Sequence, residues 1–160
     1  MTDYIQQAKE IIEANVYMTI CTVSPEGNPW VSPVFFVYDD QYNLFWVSNK
    51  DARHSQYVSN NKKVAIVIFD SSAVVGTGDG VYFESEAGEL SDVEEINKVT
   101  EIWNQRAEKE EFMIKDIGEV TGSGVWRIYK AVHKTTSKLK EGEYINGQYV
   151  DKRIEIELGK

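Results

Sequence analysis

The segment Ser48–Val67, SNKDARHSQYVSNNKKVAIV, carries most of the information about the fold. It follows the apolar run Leu44–Val47, which is typical of a buried strand. Its own spacing predicts a short helix from Asp51 to Asn60. The next run, KVAIVIF at Lys63–Phe69, is so nearly all apolar that we expect a strand buried on both faces. The segment therefore predicts a strand, a loop, a helix and a second strand in direct succession.

Three basic side chains, Lys50, Arg53 and His54, lie at the N-terminus of this helix. A helix leaves its first backbone N–H groups unpaired and carries the positive end of its dipole there. Arg53 offers a bidentate fork, Lys50 a point charge and His54 a ring N–H group. Ser48 adds a hydroxyl group, and together these groups favour a phosphate site. The alternative is a solvated polar loop in which Asp51 caps the helix.

The chain as a whole is acidic, with a formal net charge of −9 over 160 residues. Nucleic acid and anionic membranes need a basic face, so we expect neither as a partner. An anionic ligand must then be held by a local basic cluster. The length suits one domain, which we place at residues 1–160.

The single cysteine, Cys21, cannot form an internal disulfide, which fits a reducing compartment. Because no base lies near it in the sequence, we interpret it as an inert core thiol rather than a nucleophile. The N-terminal residues do not resemble a signal peptide, and no apolar run reaches the length of a membrane span. These observations favour a cytoplasmic protein.

The N-terminal part of the chain predicts one helix followed by three strands. Thr2 is the expected N-cap, and apolar residues recur at helical spacing as far as Ala14. Three apolar segments then predict strands at Val16–Val23, Trp30–Tyr38 and Leu44–Val47. Because short turns join them, we expect an antiparallel meander.

The C-terminal part predicts three more strands and at least one helix. Ser91 and Glu94 have the spacing of a capping box at the start of that helix. Asn146-Gly147 is a strong signal for a hairpin with a type I′ turn. The strands are predicted at Val81–Leu90, Val125–His133 and Arg153–Leu158. The fold class is therefore mainly β with helical insertions, a small barrel of about six to eight mostly antiparallel strands.

Other candidate sites have weaker signals. The glycine-rich stretch Gly76–Gly80 precedes a strand and lacks a lysine, so a turn is favoured over a phosphate loop. Only His54 and His133 could ligate a metal, no cysteine has ligand spacing, and we expect no metal site. No catalytic triad motif is present. Seven aromatic residues at strand spacing are expected mainly in the core: Tyr17, Trp30, Phe35, Phe36, Tyr38, Phe45 and Trp46.

The order of these elements resembles the pyridoxamine 5′-phosphate oxidase-like family, the FMN-binding split β-barrels. The resemblance rests on Trp30–Phe36 (WVSPVFF) in the second strand, the Ser48–His54 loop, and Asn60–Val67 (NNKKVAIV) after the short helix. Gly80–Asp92 (GVYFESEAGELSD) resembles the next strand and helix start of the family. Together these motifs cover roughly residues 5–135, most of the chain.

The resemblance implies FMN bound at a homodimer interface. The family holds the phosphate with a hydroxyl residue at the end of the third strand and two basic residues that follow, which correspond to Ser48, Arg53 and His54. The backbone of the second strand runs along the flavin ring. The ring-side residues are then Val31, Ser32, Pro33, Val34 and Val47, with Lys50 as a further basic group in the phosphate loop.

Departures from the family pattern narrow the expected activity. Ala52 replaces the small hydroxyl residue before the arginine, and His54 stands where the true oxidases usually have lysine. Gly80 replaces a glutamine, and Phe35-Phe36 occupy the neighbourhood of the lysine of strand two. The tryptophan after the sixth strand falls near Thr136, and the C-terminal Arg-x-His substrate motif does not occur. We therefore do not expect a true pyridoxamine phosphate oxidase.

The sequence as a whole predicts an FMN-binding oxidoreductase that acts on an unidentified small molecule. No side chain is indicated as a catalytic acid or base, so no catalytic residue is assigned. Two alternatives stay open. One is a non-enzymatic module, either a carrier of flavin or haem or a degenerate barrel with no cofactor. The other is a flavin reductase-like enzyme with a nicotinamide donor.

Overall fold

The computed structural model describes residues 3–159, which form eight strands and three α-helices. The helices are α1 (Tyr4–Ala14), α2 (Arg53–Asn60) and α3 (Val93–Arg106). The strands are β1 (Tyr17–Val23), β2 (Pro29–Phe35), β3 (Val37–Tyr38), β4 (Leu44–Asn49), β5 (Lys63–Phe69), β6 (Gly80–Glu89), β7 (Trp126–Ile145) and β8 (Gln148–Ile156). Two short 3-10 turns, Glu110–Phe112 and Ile117–Glu119, lie between α3 and β7.

All eight strands belong to one antiparallel sheet in the order β2-β1-β5-β6-β7-β4-β3, with β8 paired to β7. The sheet is strongly curved but not closed, which is a split barrel. The predicted fold class and strand number are confirmed. Because β8 pairs only with β7 among residues 3–159, its other edge faces no strand.

The predicted meander of the first three strands is wrong beyond β1 and β2. The expected second strand is interrupted at Phe36, whose side chain is fully buried. Its first part, β2, pairs with β1, whereas its last part, β3, pairs with β4. The chain thus passes from one end of the sheet to the other at Phe36, and β4 pairs with β7 rather than with β2.

The core consists of two clusters on opposite faces of the curved sheet. The barrel interior contains Met18, Ile20, Phe36, Trp46, Ile66 and Phe83, covered at one end by Ala8 and Ile12 of α1. The second cluster joins the sheet to α3 through Val37, Phe45, Ile96, Val99, Trp103 and Ile128. Alternate residues of one strand therefore enter different cores, as the two-residue period of a strand requires.

The expectation that Lys63–Phe69 is buried on both faces is wrong for the single chain. Val64, Ile66 and Ile68 point into the barrel and are buried, whereas Ala65 and Phe69 are exposed on the outer face. Cys21 on β1 is also half-buried on this outer face, so it is not a core thiol.

Two predicted helix caps are displaced by one residue. Asp3 caps α1 by accepting a hydrogen bond of 2.9 Å from the backbone N–H of Gln6, and Thr2 lies outside the described residues. Asp92, not Ser91, caps α3 by accepting from the N–H of Glu95. An aspartate is as good a cap as serine or threonine, so the neighbouring acid takes the position.

The remaining predictions have mixed outcomes. The type I′ turn is confirmed, because Asn146 and Gly147 both have positive φ angles, 50° and 80°. Phe36, Phe45 and Trp46 are buried as expected. Tyr17 and Trp30 are not, with 60% and 38% of their surfaces exposed.

The glycine-rich loop before β6 is fastened to the barrel by an ion pair. Asp79 accepts a hydrogen bond from the ammonium group of Lys138 on β7, whose side chain is only 2% exposed. Asp79 also accepts from the backbone N–H of Gly80 at 2.8 Å. A lysine buried this deeply needs a charged partner.

None of the helices described between residues 3 and 159 has the length and apolar character needed to cross a bilayer.

Candidate functional site

Ser48 and His54 meet inside one end of the barrel. Ser48 lies near the end of β4 on the buried face, and His54 lies in the first turn of α2. A hydrogen bond of 2.8 Å joins the Nε2 atom of His54 to the Oγ atom of Ser48. Burial lowers the pKa of His54 below its ordinary value, because the cation is poorly solvated there. The pair is therefore neutral at pH 7 in the free chain.

The N-terminus of α2 has no side-chain cap. Its N-cap is Ala52, which has no side-chain acceptor, and no acidic residue lies in the first turn. Asp51 precedes the N-cap, and its backbone N–H donates to Oδ1 of Asn49 at 2.8 Å. The alternative in which Asp51 caps the helix is therefore wrong. The first N–H groups of α2 and the positive end of its dipole remain available to an anion.

Arg53 lies over the ring of Trp30, with 4.0 Å between its guanidinium carbon and the ring centroid. No carboxylate within residues 3–159 forms an ion pair with Arg53. Lys50 is also without an ion pair in the same range; its backbone N–H donates to the carbonyl of Val125 at 2.9 Å. Two cations beside an uncapped helix end therefore have no anion of the described chain as a partner.

The predicted ring-side residues divide between the two faces of β2. Ser32 and Val34 point inward and are buried, whereas Val31 and Pro33 are exposed on the outer face. The described chain pairs β2 with one strand only, β1, so β2 is an edge strand with backbone groups free on its other side. Val47 faces α3, opposite to Ser48, and packs against the second core cluster.

Val31 also lines an open trough of about 480 Å³ on the outer face of the sheet. Small or β-branched side chains form much of its surface. Tyr82 and Arg153 bound part of it, with the guanidinium carbon of Arg153 4.4 Å from the centroid of the Tyr82 ring. Residues in the trough include Thr19, Cys21, Val31, Ala65, Val67, Tyr82, Glu84, Thr135, Ser137 and Arg153. The trough thus lies on the outer face, whereas Ser48 lies on the inner face of the sheet and none of the residues from Ser48 to His54 lines the trough.

Sequence reasoning missed two residues near the loop. Trp30 was expected in the core, but it lies at the barrel rim against Arg53. Arg127 is the cross-strand partner of Ser48 and is 8% exposed. Its guanidinium donates to the carbonyls of Gly122 and Gly124 at 2.7 Å each and pairs with Glu89 at 2.9 Å. Arg127 could have been found from the sequence, because it is a charged residue at an inward position of a predicted strand. No feature of the neighbouring sequence indicates that Trp30 lies at the rim.

No group of three or more His, Cys, Asp or Glu side chains suited to a metal ion occurs in the part of the chain that the structure describes. His133 is held by hydrogen bonds instead. Its Nε2 atom donates to the carbonyl of Gln41 at 3.1 Å, and the hydroxyl of Thr136 donates to its Nδ1 atom at 3.3 Å.

An open antiparallel barrel with a short helix inserted between β4 and β5 defines the class of the split-barrel proteins. The family model for pyridoxamine 5′-phosphate oxidase matches residues 5–128. The chain belongs to this family. Among curated proteins, UPF0306 protein PM1958 of Pasteurella multocida (strain Pm70) is 25% identical over 75 residues, or 46% of this chain and 50% of that protein. The match thus spans half the length of this curated relative.

Solved structures with the same fold differ in what their names say they bind. The heme storage protein HutZ of Vibrio cholerae aligns with a TM-score of 0.69 at 18% identity, over 83% of this chain and 92% of that chain. An FAD-binding protein of Mesorhizobium loti aligns with a TM-score of 0.63 at 14% identity, over 83% and 90%. At these identities the likeness shows the shared fold alone.

Proposed function

We propose that the chain is a flavoprotein of one split-barrel domain, residues 1–160, which binds FMN at the interface of a homodimer. The carrying observation is the uncapped start of α2, where Arg53 has no carboxylate partner within the described residues. In an acidic chain, such a combination favours an anion as the ligand of this helix end. The Ser48 hydroxyl and the His54 ring, 2.8 Å apart, add two groups that can bond phosphate oxygens.

The residues present fit FMN as well as its phosphate. The phosphate would be held by Ser48, Lys50, Arg53 and His54, since the uncapped end of α2 favours an anion there. The free edge of β2, at Val31–Val34, would offer backbone groups to the edge of a flavin ring, and Val47 would lie next to the phosphate residue Ser48 in β4. When bound, FMN supplies hydride and electron transfer chemistry; the chain's residues bind it and orient it.

The outer face supports the homodimer. Apolar side chains on this face remain exposed in the single chain, including Val31 at 55%, Phe69 at 43% and Tyr17 at 60%. The trough lies among these strands, so a second copy of the chain would cover both. Val31 belongs to the face and to the ring-side strand, which supports a cofactor at the interface.

A haem carrier is the alternative to a flavoprotein. Haem iron needs an axial ligand, and histidine is a common one. His54 is bonded to Ser48, and His133 is bonded to Gln41 and Thr136. A visible spectrum separates the two cofactors.

A flavin reductase remains the enzymatic alternative, tested by adding a nicotinamide donor to the FMN-loaded protein. We also propose that the protein is cytoplasmic, because its single cysteine cannot form an internal disulfide, and that it acts on a small molecule.

We predict that the purified protein with added FMN elutes as a flavin-loaded dimer. Light scattering with flavin absorbance should give about twice the 18.3 kDa chain mass and one FMN for each chain. A monomer that retains FMN would remove the interface from the proposal, and a dimer without flavin would remove the cofactor.

FMN affinity should rise as the pH falls towards about 6, through the range in which bound FMN holds a proton on His54. Burial lowers the pKa of His54 in the free chain, whereas a bound phosphate raises it, so binding takes up a proton between the two pKa values. Below about pH 6 the phosphate itself loses charge and the gain ends. Titrations of FMN and riboflavin across this range check it. His54→Gln should flatten the FMN curve, and an equal slope for riboflavin would contradict the role of His54.

A further inference from the structure

The Arg53 side chain lies over the ring of Trp30 and makes no hydrogen bond or ion pair within residues 3–159. The guanidinium lies 4.0 Å from the ring centroid, a distance at which a cation is attracted to the face of an aromatic ring. Trp30 immediately precedes the predicted ring-side strand segment, and Arg53 belongs to the predicted phosphate loop. Their contact therefore joins the two halves of the proposed cofactor site.

Two further contacts fix the orientation of Trp30. Its indole N–H donates to the hydroxyl of Ser32 at 3.0 Å, and Ser32 is nearly buried at 9% exposure. The hydroxyl of Thr22 on β1 donates to the backbone carbonyl of Trp30 at 3.3 Å. The ring is thus held by the sheet, although 38% of the residue surface remains exposed.

The guanidinium of Arg53 keeps its N–H donors available. It lies over the Trp30 ring, and it makes no side-chain hydrogen bond or ion pair within residues 3–159. The chain has 26 acidic residues, yet none within the described range pairs with Arg53. The contact with Trp30 therefore orders a long flexible side chain without using its donors, which lowers the entropy cost of later binding an anion.

We propose that Trp30 is a positioning residue that holds the Arg53 guanidinium ready to bind the phosphate group of the cofactor. This inference rests on the proposed function, because it assigns Arg53 to phosphate. Trp30 acts through Arg53 and needs no contact with the phosphate itself. Its effect is confined to ligands that carry a phosphate.

The test compares Trp30→Leu and Trp30→Phe with Trp126→Leu as a matched control. Trp126 is another exposed tryptophan, 48% accessible, with no cation over its ring in the described chain. The affinities for FMN and riboflavin are measured for each variant and for Arg53→Ala combined with Trp30→Leu. The Nε–Hε resonance of Arg53, shifted by the ring current of Trp30, reports the stack without any ligand.

Trp30→Leu should weaken FMN binding by about three- to thirtyfold and riboflavin binding much less. Trp30→Phe should retain part of the affinity, and Trp126→Leu should bind both ligands like the wild type. In the Arg53→Ala background, Trp30→Leu should cause no further change in the FMN-to-riboflavin ratio. If wild type binds FMN and this ratio is unchanged in Trp30→Leu, the positioning role is overturned and the proposed function stands.

If wild type binds no FMN, the proposed function falls, and inorganic pyrophosphate decides the role of Trp30. A shift of the Arg53 Nε–Hε resonance with pyrophosphate in wild type, reduced in Trp30→Leu, would support positioning towards another phosphate ligand. No shift in wild type would overturn it.

Discussion

Arg53→Ala should weaken FMN binding by about ten- to more than a hundredfold. The guanidinium has no anionic partner within residues 3–159, and it lies in the first turn of an uncapped helix. Charge-assisted hydrogen bonds of this kind contribute roughly 1.5–3 kcal/mol each, which sets the expected range. Calorimetric titration of wild type and variant with FMN measures the difference.

Riboflavin is the control for this prediction, because it has the flavin ring without the phosphate. Its affinity should change much less in Arg53→Ala than that of FMN. Arg53→Lys should recover only part of the loss, since lysine keeps the charge but not the fork. Equal losses for both ligands would mean that the loop supports the ring or the fold, and the phosphate role of Arg53 would be wrong.

The second large effect is expected on stability. Asp79→Asn should lower the free energy of unfolding by about 3 kcal/mol, because it leaves the ammonium group of Lys138 buried without a counter-charge. The asymmetry of the pair decides the size of the effect: the Lys138 side chain is 2% exposed and cannot be hydrated, whereas that of Asp79 is 38% exposed. Urea unfolding of the free chain measures the change.

Lys138→Met is the informative control for this pair. Methionine fills a similar volume without a charge, so its free energy of unfolding should equal or exceed that of wild type, with Asp79 left near solvent. Asp79→Asn in the Lys138→Met background should then have little effect. A loss below about 0.5 kcal/mol in Asp79→Asn alone would show that Lys138 finds other compensation.

The local sequence pattern was sufficient to predict most helices and strands, but not which strands pair with each other. Apolar spacing located α1, β1, β5 and β6 within one or two residues of their observed limits. The break at Phe36 was not predicted, because Trp30–Tyr38 has the composition of one continuous strand. Its two parts differ only in their partners, β1 and β4, which are chosen by the curvature of the whole sheet.

The outer face explains why the apolar run of β5 was misread. Its sequence is suited to burial on both faces, but the single chain covers only the face that points into the barrel. The sequence therefore reflects an environment that one chain does not provide, and the proposed homodimer would provide it. The same reasoning applies to Val31, whose exposed side chain lies on this face.

The basic loop was predicted from sequence, whereas its geometry was not. Ser48 and His54 were named, and the structure joins them by a hydrogen bond. Arg53 was also named, but its partner Trp30 lies on β2, and β3 and β4 separate the two residues in the chain. A contact of this kind depends on how α2 sits across the rim, which no local spacing encodes.

The free edge of β8 has a consequence for the behaviour of the protein at high concentration. A strand edge without a neighbour offers unpaired backbone groups to other chains, and flat apolar edges promote aggregation. Four charged residues interrupt β8: Asp151, Lys152, Arg153 and Glu155. Pairing such an edge with another copy would desolvate these charges. The charges of β8 thus act against open-ended, fibril-like association.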